Sequence, residues 1–227
     1  MSPEQPPTPE SPESPPSPES PERASRRPPG RRDQLLTAAL DVVGRVGPGA
    51  SMDEMAAEAG ITKPVLYRYF GDRDGLIGAM AERFSSTLVA RLESALAGAD
   101  ETPPEELIHR GIETYVAFIE EDPALYQFLT QHATLGGPVL VAIFDRVAGS
   151  IGRVVESVLE TWGLDTRPVA AWATGIVGMV HLAGARWARQ TDGPREQLVD
   201  DLTTLVAHGI VGASVASLRD RVAAPEP

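Results

Sequence analysis

Lys63, Tyr67 and Arg68 fall so that one short helix carries a cation, an aromatic ring and a second cation away from Leu66 and Phe70. Leu66 and Phe70 are four apart, the spacing of neighbours on one helical face, and that face is expected to meet the core. An exposed cation–aromatic–cation surface on a short helix is costly to explain by folding alone. It suits a nucleic-acid groove, where phosphates attract the charges and base edges offer hydrogen-bond partners.

The elements that must hold this surface are legible on either side. Ser51 with Glu54 three residues on forms a capping box, which opens a first helix with a small apolar face of Met55, Ala56 and Ala59. Gly60 stops that helix by supplying a left-handed residue. Ile61 plugs the angle between the helices, Thr62 caps the second helix, and Pro64 is tolerated in its first turn. Upstream, Leu36, Ala39, Leu40, Val43 and Val46 recur at helical spacing from Arg31 until Gly47-Pro48-Gly49 breaks the pattern. Downstream, Leu76, Ile77, Met80, Phe84, Leu88 and Leu92 predict a long helix running to about residue 97.

The segment from Ser51 to Leu76 resembles the tetracycline-repressor (TetR) family of bacterial transcription regulators. The resemblance is carried by the Gly60 turn, early Pro64, the run Leu66-Tyr67-Arg68-Tyr69-Phe70, and Asp72-Arg73-Asp74-Gly75-Leu76. At motif level it covers about residues 31–80. It implies an all-α fold, with an N-terminal three-helix helix-turn-helix DNA-binding domain and a C-terminal helical domain for ligand binding and dimerisation. By position in the motif, Lys63, Tyr67 and Arg68 contact bases or the groove, and Arg68 can grip a guanine in bidentate fashion. Ser51, Thr62, Tyr69 and Arg73 hold phosphates, and Pro64 touches a thymine methyl group. Val65 replaces the family's commonest small residue, which tilts that position towards apolar contact. The implied partners are a palindromic double-stranded DNA operator, a second copy of the chain, and a small apolar effector whose binding releases DNA.

Charge is divided in a way that fits. The whole chain carries −12, yet residues 23–75 hold nine bases against seven acids. Arg23, Arg26, Arg27, Arg31 and Arg32 cluster ahead of the first helix, near a phosphate or the minor groove, while the acidic remainder repels DNA. There are no cysteines, so neither disulfides nor thiolate metal sites exist. The spacing of His109, His132, His181 and His208 matches no zinc motif, and neither metal nor cofactor is expected. No apolar run reaches membrane-spanning length and the N-terminus has no apolar leader, so a cytoplasmic protein is expected.

Residues 1–30 hold eleven of the twenty-one prolines and are expected to be a disordered Pro/Glu/Ser-rich tail. Residues 31–75 form the DNA-binding domain, 76–221 the ligand-binding and dimerisation domain, and 222–227 a disordered end. Breaks at Pro103-Pro104, Pro123, Gly136-Gly137-Pro138, Gly163 to Pro168, and Gly193-Pro194 predict body helices near 104–121, 123–133, 138–163, 167–190 and 195–220.

The last two of these are rich in small residues and apolar nearly all round, so a second copy is expected to bury their outer sides. That two-fold interface is assigned to Trp172, Gly175, Gly178, Leu202, Leu205, Gly209, Ile210 and Ala213. An effector pocket is expected among Tyr115, Phe118, Tyr126, Phe128, Phe144, Trp172, Ile176 and Met179, with Thr114, His132 or His181 as polar anchors. Few cations fall among them, which favours a bulky apolar ligand. No nucleophile elbow, phosphate-cradling loop or dinucleotide fingerprint occurs, so an enzyme is not expected. The competing class is a dimeric helical module that binds another protein, or DNA without sequence preference.

Overall fold

The computed structural model describes residues 30–132, 138–190 and 193–223; side chains are described as far as Gly209, except those of Asp100, Pro138 and Leu140. The described residues form helices α1 (Arg31–Val46), α2 (Met52–Glu58), α3 (Lys63–Phe70), α4 (Arg73–Ala95), α5 (Pro104–Glu121), α6 (Pro123–His132), α7 (Pro138–Thr161), α8 (Val169–Gln190) and α9 (Arg195–Ala223). There is no strand among them. A single 3-10 turn, Ala99–Glu101, links α4 to α5 and was not foreseen from the sequence.

The head is α1–α3 with the start of α4. In α1 the buried positions are Leu35, Leu36, Ala39, Val42 and Val43, spaced to make one stripe. Val46, expected on that stripe, is 49% exposed, because the helix ends there before its last turn reaches the core. The capping box forms as expected: the Glu54 backbone N–H donates to Ser51 Oγ (3.2 Å), and the Ser51 backbone N–H donates to Glu54 Oε2 (2.8 Å). The Ser51 N–H and then the Ser51 hydroxyl, which also donates to Glu54 Oε2 (2.8 Å), favour the ionised carboxyl and lower its pKa. Gly60 takes φ +66, the left-handed conformation that turns the chain towards α3. Thr62 sits at the N-cap of α3 in extended conformation, but its side chain makes no capping bond, which corrects the expected role.

At the next junction Asp72 Oδ1 accepts from the Gly75 N–H (2.8 Å) and starts α4. A Cβ at Gly75 would lie 1.9 Å from the Phe70 carbonyl oxygen, so only glycine allows α3 and α4 to meet at this angle.

Helix α4 has 23 residues and extends about 34 Å at 1.5 Å per residue. Leu76, Ile77 and Met80 are buried in the head core, whereas Phe84, Leu88 and Leu92 face the body. Prolines open α5, α6 and α7 at positions where no intrahelical N–H is needed. Asp122 caps α6 through the Leu125 N–H (2.9 Å). Helix α5 packs against α9, α7 against α8 and α4, and α6 reaches across to α1. Gly184 lets α8 approach α5: a Cβ there would lie 3.1 Å from Ile119 Cδ1 and 3.2 Å from Tyr115 Cε1. The expected tail falls almost wholly outside the described residues, and so does Arg23 to Arg27. Residues 222 and 223, expected to be disordered, belong to α9.

Candidate nucleic-acid interface and effector cavity

Helix α3 is held by Leu66 and Phe70, which are buried, while Ser51, Thr62, Pro64, Arg68 and Arg73 are exposed. Lys63, Val65, Tyr67 and Tyr69 are intermediate. Both tyrosines pack partly against the head core, so Tyr67 projects less freely than its spacing suggests. Lys63 Nζ is paired with Asp53 Oδ2 across the turn (3.1 Å), at 39% and 73% side-chain exposure. A pair this exposed contributes at most about 1 kcal/mol, and a phosphate can take the place of the carboxylate.

Three further arginines brace this surface. The Arg31 guanidinium donates to the Ala59 carbonyl (3.5 Å), Arg45 pairs with Glu58 (2.5 Å), and Arg32 lies 4.8 Å over the Phe70 ring. Arg32 thus links the basic start of α1 to the end of α3.

The body contains a cavity of about 300 Å³ walled by α4, α5, α6, α7 and α8 with one residue of α9. Phe84, Leu88, Leu92 and Leu96 supply one wall at four-residue spacing, and α7 supplies another from Ile143 to Leu159, continued by Trp162 just past its end. Of the residues expected there, Tyr115, Tyr126, Phe144, Ile176 and His181 line it. Thr114, whose hydroxyl donates to the Arg110 carbonyl (2.7 Å), does not, nor do Phe118, Phe128, His132, Trp172 and Met179. Phe118 is buried against Phe84 (ring centroids 4.8 Å) with Arg91 over its ring, and Phe128 is wholly buried beside His132. The His132 Nδ1 bonds the Phe128 carbonyl (2.8 Å), so it is a satisfied helix-end histidine. Met179 packs in a second apolar cluster with Ile112, Val116 and Val199. Trp172 is half-buried away from the cavity. Apart from Phe144, the wall residues of α4 and α7 were missed: Leu88 and Val155 read as ordinary apolar positions in the sequence.

Beside Thr130, whose hydroxyl donates to the Tyr126 carbonyl (2.9 Å), one group of polar side chains interrupts the apolar lining. Tyr115 Oη lies 3.0 Å and Tyr126 Oη 3.1 Å from His181 Nδ1, and the two hydroxyls are 3.4 Å apart. Burial raises the Tyr115 pKa well above the usual value and that of Tyr126 to about 12, so both keep their protons. Burial, then the positive Arg189, lowers the His181 pKa and favours neutral imidazole. Phe144 sits edge-on to that ring at 4.7 Å. Among the described residues, no charged side chain lines the cavity.

On the expected interface, Leu202 is buried in its own chain against Ile112, Val116 and Val180, and so is not offered to a partner. Leu205 is 57% and Leu182 64% exposed. A Cβ at Gly175, Gly178 or Gly209 would meet nothing of the chain within 4 Å. The side chains of Ile210 and Ala213 lie outside the described residues.

Comparison with known proteins decides the family. The model of the tetracyclin repressor-like C-terminal domain matches residues 91–225, more than half of the chain. The chain belongs to the TetR family.

A model of bacterial regulatory proteins of the tetR family matches residues 35–80, the helix-turn-helix of this TetR-family chain. An uncharacterized HTH-type transcriptional regulator of Mycobacterium tuberculosis is 32% identical over 184 residues, which are 80% of this chain and 78% of that one. The HTH-type transcriptional activator FasR of Mycolicibacterium smegmatis is 30% identical over 166 residues, covering 72% and 74%. A TetR-like transcriptional regulator from Rhodococcus superposes with a TM-score of 0.58 at 27% identity, over 82% of this chain and 100% of that one. The TetR-family protein described here is a DNA-binding helix-turn-helix regulator of transcription. Among the described residues no helix is long and apolar enough to cross a membrane, and no group of three acidic, histidine or cysteine side chains is placed to hold a metal.

Proposed function

We propose that this TetR-family chain is a ligand-responsive repressor that binds a palindromic operator as a two-fold dimer and leaves it when an apolar effector fills the body cavity. Residues 31–75 bind DNA, and residues 76–221 hold the effector and the partner subunit. One observation carries the reading. Helix α4 has its first turns in the head core at Leu76, Ile77 and Met80, and its middle turns in the cavity wall at Phe84 and Leu88. A second link is α6, which places Tyr126 in the cavity wall and packs against α1.

On DNA, Lys63, Tyr67 and Arg68 read the groove, with Val65 and Pro64 in apolar contact. Ser51, Thr62, Tyr69 and Arg73 fix the phosphates. The free Thr62 hydroxyl suits that role better than capping. The partner covers the outer sides of α8 and α9, where Leu182, Leu205, Gly175, Gly178 and Gly209 are presented. Two-fold symmetry then places two copies of α3 on half-sites about 34–36 Å apart. Release is a population shift: the effector favours a conformer in which α4 has moved and the two α3 helices no longer match that spacing. The shift is bounded by the difference in effector affinity between the two conformers. Bound operator excludes polymerase, which makes repression the direct outcome; the relative FasR is an activator, and a reporter fusion separates the two.

The test is anisotropy of labelled DNA from upstream of the protein's own gene, with random DNA of equal length as competitor. Tight binding of two subunits that random DNA does not displace is expected. Equal, weak binding to both, together with no enriched sequence from a random library, would leave the module without sequence preference as the better account.

A further inference from the structure

The cavity has a shape and a chemistry that narrow its ligand. Its α4 wall runs from Phe84 to Leu96, about 18 Å at 1.5 Å per residue, so a volume of about 300 Å³ is drawn out into a narrow slot. At one part of this slot stand Tyr115, Tyr126 and His181; the walls along α4 and α7 are apolar. The slot therefore suits a slim, extended body with a single polar group.

The hydrogen-bond inventory gives the sign of that group. The neutral imidazole has one acceptor nitrogen, and Nδ1 faces both hydroxyls. It accepts from one tyrosine only; the other donates to its neighbour's hydroxyl oxygen (3.4 Å), so both hydroxyl protons are used within the group and fix the imidazole tautomer. With Nδ1 as acceptor the ring proton is on Nε2, the donor left over, for which the described residues offer no hydrogen-bond partner. One neutral donor left over calls for an acceptor. An ionised head would lose hydration among described lining residues that carry no charge; Arg189, the cation that acts on His181 and Tyr126, does so from outside that lining.

We infer that the effector is a neutral long-chain molecule carrying one hydrogen-bond acceptor, an acyl carbonyl in an ester or amide, held at Tyr115, Tyr126 and His181 with its chain along α4 and α7. The inference rests on the reading of this cavity as the effector site. It excludes the free fatty-acid anion and any effector whose charged portion must lie within the slot. Tyr115 and Tyr126 set the head-group preference through the tautomer they fix, and Leu88 and Val155 flank the chain.

The test uses the full chain with methyl laurate, laurate and dodecane, which share one chain length. Binding is read by tryptophan emission, since Trp162 lines the slot, and by thermal melting. Methyl laurate is expected to bind at least tenfold more tightly than laurate at neutral pH. In the variant carrying both Tyr115→Phe and Tyr126→Phe, ester affinity should fall about tenfold, the worth of one hydrogen bond, while dodecane affinity is unchanged. Retained dodecane binding shows that the variant still folds around the slot. The single variants Tyr115→Phe and Tyr126→Phe give the same comparison with one hydroxyl kept. Equal affinity for ester and anion, or an ester affinity untouched by loss of both hydroxyls, overturns the head-group assignment and leaves the cavity standing. If none of the probes binds, the effector cavity itself is wrong and the inference falls with it.

Discussion

The head and the body use apolar side chains to opposite ends. In the head, Leu35, Leu66, Leu76 and Met80 are at most 1% accessible and close the space between α1, α3 and α4, so that function lies outside, on α3. In the body, Leu88, Val155 and Ile176 stand around a space that no side chain fills, so that the proposed effector site lies inside. A close-packed unit is rigid and transmits displacement, whereas a hollow one has two states, filled and empty, to choose between. Helix α4 belongs to both regions, and in the proposed function it is the joining of a rigid reader to a fillable hollow that makes the pair a switch.

The contrast breaks first under truncation. Leu66→Ala in the filled core should cost about 2–5 kcal/mol of stability and abolish DNA binding. Val155→Ala, which only enlarges an existing hollow, should cost well under half of that. Denaturant midpoints of the two variants measure the difference, and equal losses would mean that the slot is not open in solution. Next comes the junction. Gly75→Ala drives a Cβ towards the Phe70 carbonyl and should cost about 1–3 kcal/mol, with α3 displaced. Its operator affinity should fall further than the melting temperature implies, while ester binding in the slot persists.

On the reading surface, Arg68→Ala should cost about 1–3 kcal/mol of operator binding and relax preference at one base position. Arg73→Ala should weaken operator and random DNA alike and lessen the salt slope. Selection from a randomised half-site shows whether the two behave differently; identical behaviour would remove Arg68 from base readout.

The smallest effect is the pH response of the body. The folded-state pKa of His181 lies below that of the unfolded chain, so below the ordinary histidine range the unfolded state takes up a proton that the folded state resists. Stability is therefore full above that range and declines as pH falls through it. Chemical denaturation between pH 7.5 and 5.5 should show that slope, and His181→Asn should flatten it. A slope that survives the substitution belongs to another group.

The head was legible because its determinants are local. Ser51 and Glu54 are three apart, Gly60 and Pro64 bracket one turn, and their conformations depend on few distant atoms. Even so, spacing alone placed Tyr67 further out than its contact with the core allows, and put Val46 in a stripe that the helix end leaves exposed. The body was legible as helices, since Pro104, Pro123 and Pro138 mark their starts, but not as a cavity. Periodicity shows that Phe128 and Val155 face inwards. It does not show that one is surrounded by atoms and the other by space, because that depends on side chains from six helices. Tyr115, Tyr126 and His181 were each visible as candidates, yet their meeting spans 55 and 66 residues of sequence and only the fold brings it about.

The central claim is that slot and α3 are coupled, and thermodynamic linkage gives its most direct measurement. The affinity of methyl laurate is measured for the free protein and for the protein saturated with its upstream DNA. Binding to the DNA complex should be weaker, by the same factor by which saturating ester weakens DNA binding. Equal ester affinity for the free and DNA-bound protein would show that filling the slot does not move the recognition helices.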